Sequence, residues 1–200
     1  INSGFGLSVI YDKFGPLSTY SATVNYAYHV AFGENHKLSL GLGAGATFAQ
    51  YDASGNIYEN EDDPLSYYEK DTQIAPDVNF GIQYTLKNWV IGASITHLQR
   101  YFMPKDVRFP SVNYYAYTRY RFELGRYWNI IPSASVHYDN VVVNEEINLL
   151  VEYTKAIWFG ASYRMKDALA PQAVVPMIGF NISDYVKLGY AYSYNLTDLN

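Results

Sequence analysis

The sequence predicts an all-β fold, an antiparallel up-and-down transmembrane β-barrel with about 11 strands visible in this segment. Three observations predict it. Apolar residues alternate with small or polar ones along the whole chain, the period of a strand with two unlike faces. Only 16% of the 200 residues are charged, against about 25% in an average soluble domain. Aromatics reach 18%, with 22 tyrosines, more than a single core needs. Mean hydropathy is only -0.16, and no run approaches the roughly 18 apolar residues of a spanning helix. A soluble protein of this size needs a charged surface, and a helical membrane protein needs apolar runs. A sheet with one face against lipid needs neither.

Each element follows the same rule. In 5–12, Phe5, Leu7, Val9 and Tyr11 share a face. In 18–32, Tyr20, Ala22, Val24, Tyr26, Tyr28, Val30 and Phe32 oppose Ser21, Thr23, Asn25 and His29. Residues 38–52 set Leu38, Leu40, Leu42, Ala44, Ala46 and Phe48 against Ser39, Gly41, Gly43, Gly45 and Thr47. The glycines predict a close approach or a bend in the wall. In 77–86, Val78, Phe80, Ile82, Tyr84 and Leu86 oppose Asp77, Asn79, Gln83 and Thr85. Segments 89–98, 111–124, 130–139 and 176–183 alternate more weakly, whereas 146–153, 157–165 and 186–195 are clear. Strands of roughly 9–11 residues cross a bilayer, so 18–32 is expected to project beyond it.

The connections alternate in length, as in a transmembrane meander. Short turns are expected at 33–37, 87–88, 125–129, 154–156 and 183–185. Longer loops are expected at 53–73, 99–110 and 166–175, with compact links at 13–17 and 140–144 on the same side. Outward Tyr20, Tyr114, Tyr190, Tyr192 and Tyr194 fall toward the long-loop ends. Outward Tyr26, Tyr28, Phe32, Tyr84 and Phe122 fall toward the short turns, giving the two aromatic girdles of a membrane barrel.

Little here resembles catalytic chemistry. The chain has no cysteine, which excludes disulfides and thiolate metal sites. The net charge of -5 argues against nucleic acid. His29, His36, His97 and His137 lack the spacing of a metal-ligand set. Ser133 and His137 share a face but stand roughly 13 Å apart along a strand. The acidic loop 59–64 lacks the alternating ligands and glycine of an EF-hand. The Asn-Ile-Ser and Asn-Leu-Thr triplets at 181–183 and 195–197 are read as chance. No cofactor is expected. The charges on the inward faces are more telling. His29, Arg119, Arg121, Glu123, His137, Glu146, Glu152, Arg164 and Lys187 form a candidate interior network. Its mixed signs favour a filled interior over a wide selective pore. In the long loops, Tyr58, Tyr67, Tyr68, Tyr101, Phe102, Arg108 and Phe109 join aromatics to charge and are the candidate partner-binding residues.

Several longer stretches carry a family signature. These are GLSVIYDKFGPLSTYSATVNYAYHV (6–30), LSLGLGAGATFAQYD (38–52), VIGASITHL (90–98), IIPSASVHY (130–138), EINLLVEYTKAIWFGASYR (146–164) and IGFNISDYVKLGYAYSYN (178–195). The most specific are the Asp-Lys-x-Gly-Pro turn before a Tyr-Ala-Tyr-His strand, and the Trp-Phe-Gly-x-Ser-Tyr-Arg strand before an Ile-Gly-x-Asn-Ile-Ser hairpin. With these motifs the chain resembles the PorP/SprF family of outer-membrane proteins, associated with type IX secretion and gliding motility in Bacteroidetes-type bacteria. The resemblance implies one outer-membrane barrel domain over 1–200, with N-terminal and C-terminal portions beyond this segment and roughly 12–14 strands when intact. It implies a non-enzymatic role in exporting or anchoring cell-surface proteins that carry a C-terminal targeting domain. Outer-membrane lipid and periplasmic secretion or peptidoglycan-linked components are the other implied partners. The competing expectation is a passive outer-membrane channel or transporter for a small or hydrophobic molecule. A lipid-acting enzyme ranks last, for want of a catalytic constellation.

Overall fold

The computed structural model describes residues 2–52, 70–103, 110–183 and 185–197. Every structural statement below concerns these residues. They are almost entirely strand, and none lies in an α-helix. The elements are β1 (Ser3–Phe14), β2 (Leu17–Phe32), β3 (His36–Asp52), β4 (Lys70–Leu86) and β5 (Trp89–Thr96), then a 3-10 turn at Leu98–Phe102. There follow β6 (Asn113–Tyr120), β7 (Phe122–Leu124), β8 (Trp128–Tyr138), β9 (Val143–Tyr153), β10 (Ile157–Lys166), β11 (Ala170–Asn181), β12 (Lys187–Ala191) and β13 (Tyr194–Asn195). Hydrogen-bonded neighbours follow chain order from β1 to β12, with β7 completing the path of β6 along β8 and β13 completing that of β12 along β11. The path is open at its two ends.

The 13 strands are the roughly 11 paths that the alternation predicts. The two extra breaks sit beside prolines. Thr118–Ala134, Arg119–Ser133 and Phe122–Ile130 keep one register, and the break at Arg121 lies next to Pro132 of β8. Likewise Met177–Ala191 and Val174–Tyr194 keep one register, and the break at 192–193 lies beside Val175 and Pro176. A proline has no N–H to give the ladder, so pairing weakens locally without a change of register.

Two predicted loops are corrected. The expected loop at 166–175 is a turn of three residues, because Lys166 pairs with Ala170 and β11 begins there. The strand accommodates Pro171 at a register shift between Arg164 and Met165. Asp167, Ala168 and Leu169 take left-handed backbone conformations (φ 43°, 64° and 69°), which close the turn. The expected loop at 53–73 is also shorter, since 70–73 belong to β4.

The chain falls into two compact units. The first comprises residues 1–29, 40–81 and 95–112, and the second 30–39, 82–94 and 113–200. Both invert the usual sorting of polarity. In the first unit, Thr47 and Asp77 are buried while Leu42 is 59% and Val24 59% exposed. In the second, Ser162 is buried while Leu149 is 51% and Leu188 62% exposed. Water-soluble domains do the reverse. Strand lengths are uneven too. β9 and β10 have 11 and 10 residues, close to what a bilayer needs, whereas β2, β3 and β4 have 16, 17 and 17.

The glycines of β3 have a packing cause. A Cβ on Gly45 would lie 1.9 Å from the Ala22 carbonyl oxygen, and one on Gly43 would lie 2.6 Å from Asn25 Oδ1. The first is a backbone atom that cannot move aside, so at Gly45 β3 runs against β2 too closely for any other residue, whereas at Gly43 the nearest atom is a side-chain end that can shift. At Gly41 the nearest atom is 3.8 Å away, and no such demand exists.

Candidate functional site

In the first unit the polar face closes on itself. Asp77 of β4 is 2% exposed. Its Oδ1 is 3.1 Å from His97 Nδ1, and its Oδ2 accepts from the Thr47 hydroxyl at 3.4 Å. Thr47 Oγ1 is in turn 2.8 Å from Ser21 Oγ. His97 sits in the left-handed region (φ 59°, ψ 39°) where β5 gives way to the 3-10 turn. Its backbone N–H donates to Asn79 Oδ1 at 3.0 Å, and Gln99 Oε1 accepts from the Val78 N–H at 3.0 Å. The chain after β5 is thereby pinned to β4. The cluster is not a hydrolytic triad. The carboxylate stands in the middle, with imidazole and hydroxyl on its two different oxygens, whereas catalysis needs the imidazole between hydroxyl and carboxylate.

In the second unit the charges of the polar face form two separate groups. Arg121 pairs with Glu152 at 2.6 Å, and Asn129 Nδ2 donates to the same Glu152 oxygen at 2.9 Å. The Arg121 backbone is held by Asn88 of the β4–β5 turn. The Arg121 N–H donates to the Asn88 carbonyl at 3.0 Å, and Asn88 Nδ2 donates to the Arg121 carbonyl at 3.1 Å. Farther along the strands, Arg164 Nε pairs with Glu146 at 3.0 Å. The Ser162 hydroxyl donates to Glu146 at 2.6 Å and accepts from Asn148 Nδ2 at 2.7 Å.

The remaining predicted interior residues are dispersed. His137 stacks on Tyr115, with ring centroids 4.5 Å apart and planes 5° apart, and is 2.8 Å from Asn113 Oδ1. His29 lies on the polar face of β2, where a Cβ on Gly4 would lie 3.9 Å from its Nε2. Arg119 lines a cavity of about 340 Å³ with Tyr117 and Ser133. Glu123 and Lys187 line a larger one, of about 1110 Å³, with Arg121 and Glu152. Of the candidate loop residues, Tyr101 and Phe102 stand on the 3-10 turn, 58% and 90% exposed. Tyr58, Tyr67, Tyr68, Arg108, Phe109 and the acidic 59–64 segment lie outside the described residues.

Two features escaped the sequence reading. The Asp77–His97 contact joins residues 20 apart, one of them on a loop, with no periodic signal between them. Trp158 lies on the inward face of β10, over two glycines. A Cβ on Gly179 would meet its ring at 2.1 Å and one on Gly189 at 2.9 Å. The Trp158 and Gly179 motifs carry the family resemblance, so part of that signature is a packing requirement.

Exposed outward aromatics complete the picture. Tyr20, Tyr26, Tyr28, Phe32, Phe122, Tyr190, Tyr192 and Tyr194 are all more than a third exposed. An antiparallel meander with buried polar side chains and an exposed apolar face is built as a membrane β-protein. The particular family follows from comparison with known families. The chain matches, over residues 1–200, the family described as type IX secretion system membrane protein PorP/SprF, and it belongs to that family. It is therefore a membrane component of a type IX secretion system. Comparison with curated proteins and with solved structures returned no match.

Proposed function

We propose that this protein is a non-enzymatic outer-membrane barrel that helps to export surface proteins or to anchor them on the cell. The observation that carries the proposal is the family match along the whole chain, joined to a sheet whose large apolar side chains face outward. Lipid would cover those side chains, and further strands would close the open ends of the sheet, since an unpaired edge is untenable inside a bilayer. The paired Arg121–Glu152 and Arg164–Glu146 groups would occupy the interior together with His29, Arg119, Glu123, His137 and Lys187. Charge of mixed sign there suits a filled interior better than a selective pore. The long-loop side, with exposed Tyr101 and Phe102, would receive a secreted protein through its C-terminal targeting domain. Exposed aromatics beside charge suit the centre of an interface. The short-turn side would meet periplasmic secretion or peptidoglycan-linked components.

The test is genetic and biochemical together. Tyr67, Tyr68, Tyr101 and Phe102 are changed to Ser in the full-length protein. The expected result is a normally inserted barrel with cargo shed into the medium. Cargo retained on cells at normal levels would overturn the assignment of the docking side.

A further inference from the structure

The chain as a whole is acidic, at -5, yet the cavity lined by Glu123 and Lys187 is not. That cavity, of about 1110 Å³, lies within the second unit at the short-turn ends of β7 to β12. Four cations line it, Arg121, Arg126, Lys155 and Lys187, against two carboxylates, Glu123 and Glu152. Arg121 and Glu152 neutralise one another at 2.6 Å. Arg126, Lys155 and Lys187 are left as exposed charges facing a single opposing Glu123. A cleft lined by an excess of one sign concentrates field lines and draws in the opposite charge.

The rim is built rather than loose. The Thr154 N–H donates to the Tyr127 carbonyl at 2.7 Å, and the Asn181 N–H donates to the Ala156 carbonyl at 2.7 Å. The Asn181 side-chain amide donates to the Lys155 carbonyl. The β7–β8 turn, the β9–β10 turn and the end of β11 are thus tied edge to edge, and Thr154 and Lys155 hold left-handed conformations (φ 51° and 60°). Because the Asn181 amide nitrogen is committed to Lys155, its Oδ1 is fixed as an acceptor. That oxygen is buried and has no partner among the described residues.

We infer that this cavity is a binding site for an acidic peptide segment, with the excess cations taking Asp or Glu carboxylates and Asn181 Oδ1 taking a backbone N–H. A peptide supplies both chemistries. Inorganic phosphate satisfies the cations but carries no N–H for Asn181, and it fills little of the volume. This inference rests on the proposed membrane orientation, in which the short turns face the periplasm, and names the chemistry of the partner there.

The test uses the full-length protein in detergent micelles and a fluorescent decaglutamate peptide, read by anisotropy. Saturable binding is expected. The triple variant R126Q/K155Q/K187Q is expected to weaken it by about tenfold, each rim charge contributing a few-fold. E123Q is expected to tighten it a few-fold, a gain that a misfolded protein cannot give. A neutral Gly-Ser peptide and inorganic phosphate are expected not to displace the probe. Unchanged affinity in both variants, or full displacement by phosphate, overturns the inference. Cargo distribution is scored separately in a deletion strain. If cargo depends on the protein but decaglutamate does not bind, the cavity assignment alone fails. If cargo is indifferent to the deletion, the functional reading fails and the binding result stands.

Discussion

Asp77 and Glu146 are carboxylates on the polar face of the sheet, one in each compact unit, and the fold treats them differently. Asp77 is 2% exposed and held by a hydroxyl and an imidazole. Glu146 is 31% exposed and held by Arg164, itself 45% exposed, and by Ser162. One is a dry structural clasp, the other a wetted ion pair. The difference teaches where stability is concentrated. A buried group loses its partners at full desolvation cost, whereas a half-exposed pair returns much of its energy to water.

What the two units share should produce the largest effects. Leu42 in the first and Leu149 in the second are both more than half exposed on the apolar face. Replacing either with Arg is expected to cost about 2–4 kcal/mol if the position lies near the bilayer midplane. Folding yield into liposomes checks this. A yield unaffected in the first unit alone would confine lipid contact to the second.

The contrast between the carboxylates comes next. Asp77→Ala is expected to cost about 2–3 kcal/mol, since His97 and Thr47 both lose a buried charged acceptor. Glu146→Ala is expected to cost about 1 kcal/mol, because water reaches Arg164. Urea unfolding in micelles compares them. Equal losses would erase the distinction.

How legible was this in the sequence? The alternation identified the strands and which residues share a face, because a half-buried strand repeats every second residue; the family was read from longer motifs, not from the alternation. Arg121, Glu146 and Glu152 were placed on the inward face by parity alone, but their choice of partners depends on inter-strand register, which periodicity does not encode. The clasp of Asp77 was invisible for a different reason. It depends on His97 adopting a left-handed backbone at the end of β5, and no sequence pattern marks that bend. The expected loop at 166–175 failed in one place, at Pro171, because a register shift lets a strand keep a residue that usually ends it.

The smallest expected effect lies outside the membrane, in the turn after β8. Asp139 Oδ1 accepts from the N–H groups of Val142 at 2.8 Å and Val141 at 3.0 Å. These bonds, Val142 first, hold its carboxyl below the usual carboxylate range. The folded value is lower than the unfolded one. The contribution is therefore present above the unfolded pKa of about 3.9 and lost as pH falls through the folded value. Asp139→Asn is expected to lower stability slightly at neutral pH, to leave it unchanged at low pH, and so to flatten this part of the acid unfolding curve. A steeper acid loss in the variant would contradict the assignment.

The central claim is that the apolar faces meet lipid and the polar faces do not. The chain has no cysteine, so single Cys substitutions along 146–153 of β9 can carry spin labels without background. In liposomes, accessibility to oxygen, which partitions into the bilayer, should oscillate with a period of two residues. Maxima are expected at 147, 149, 151 and 153, and minima at 146, 148, 150 and 152. A flat profile, or maxima at 148 and 152, would contradict the membrane reading of the whole sheet.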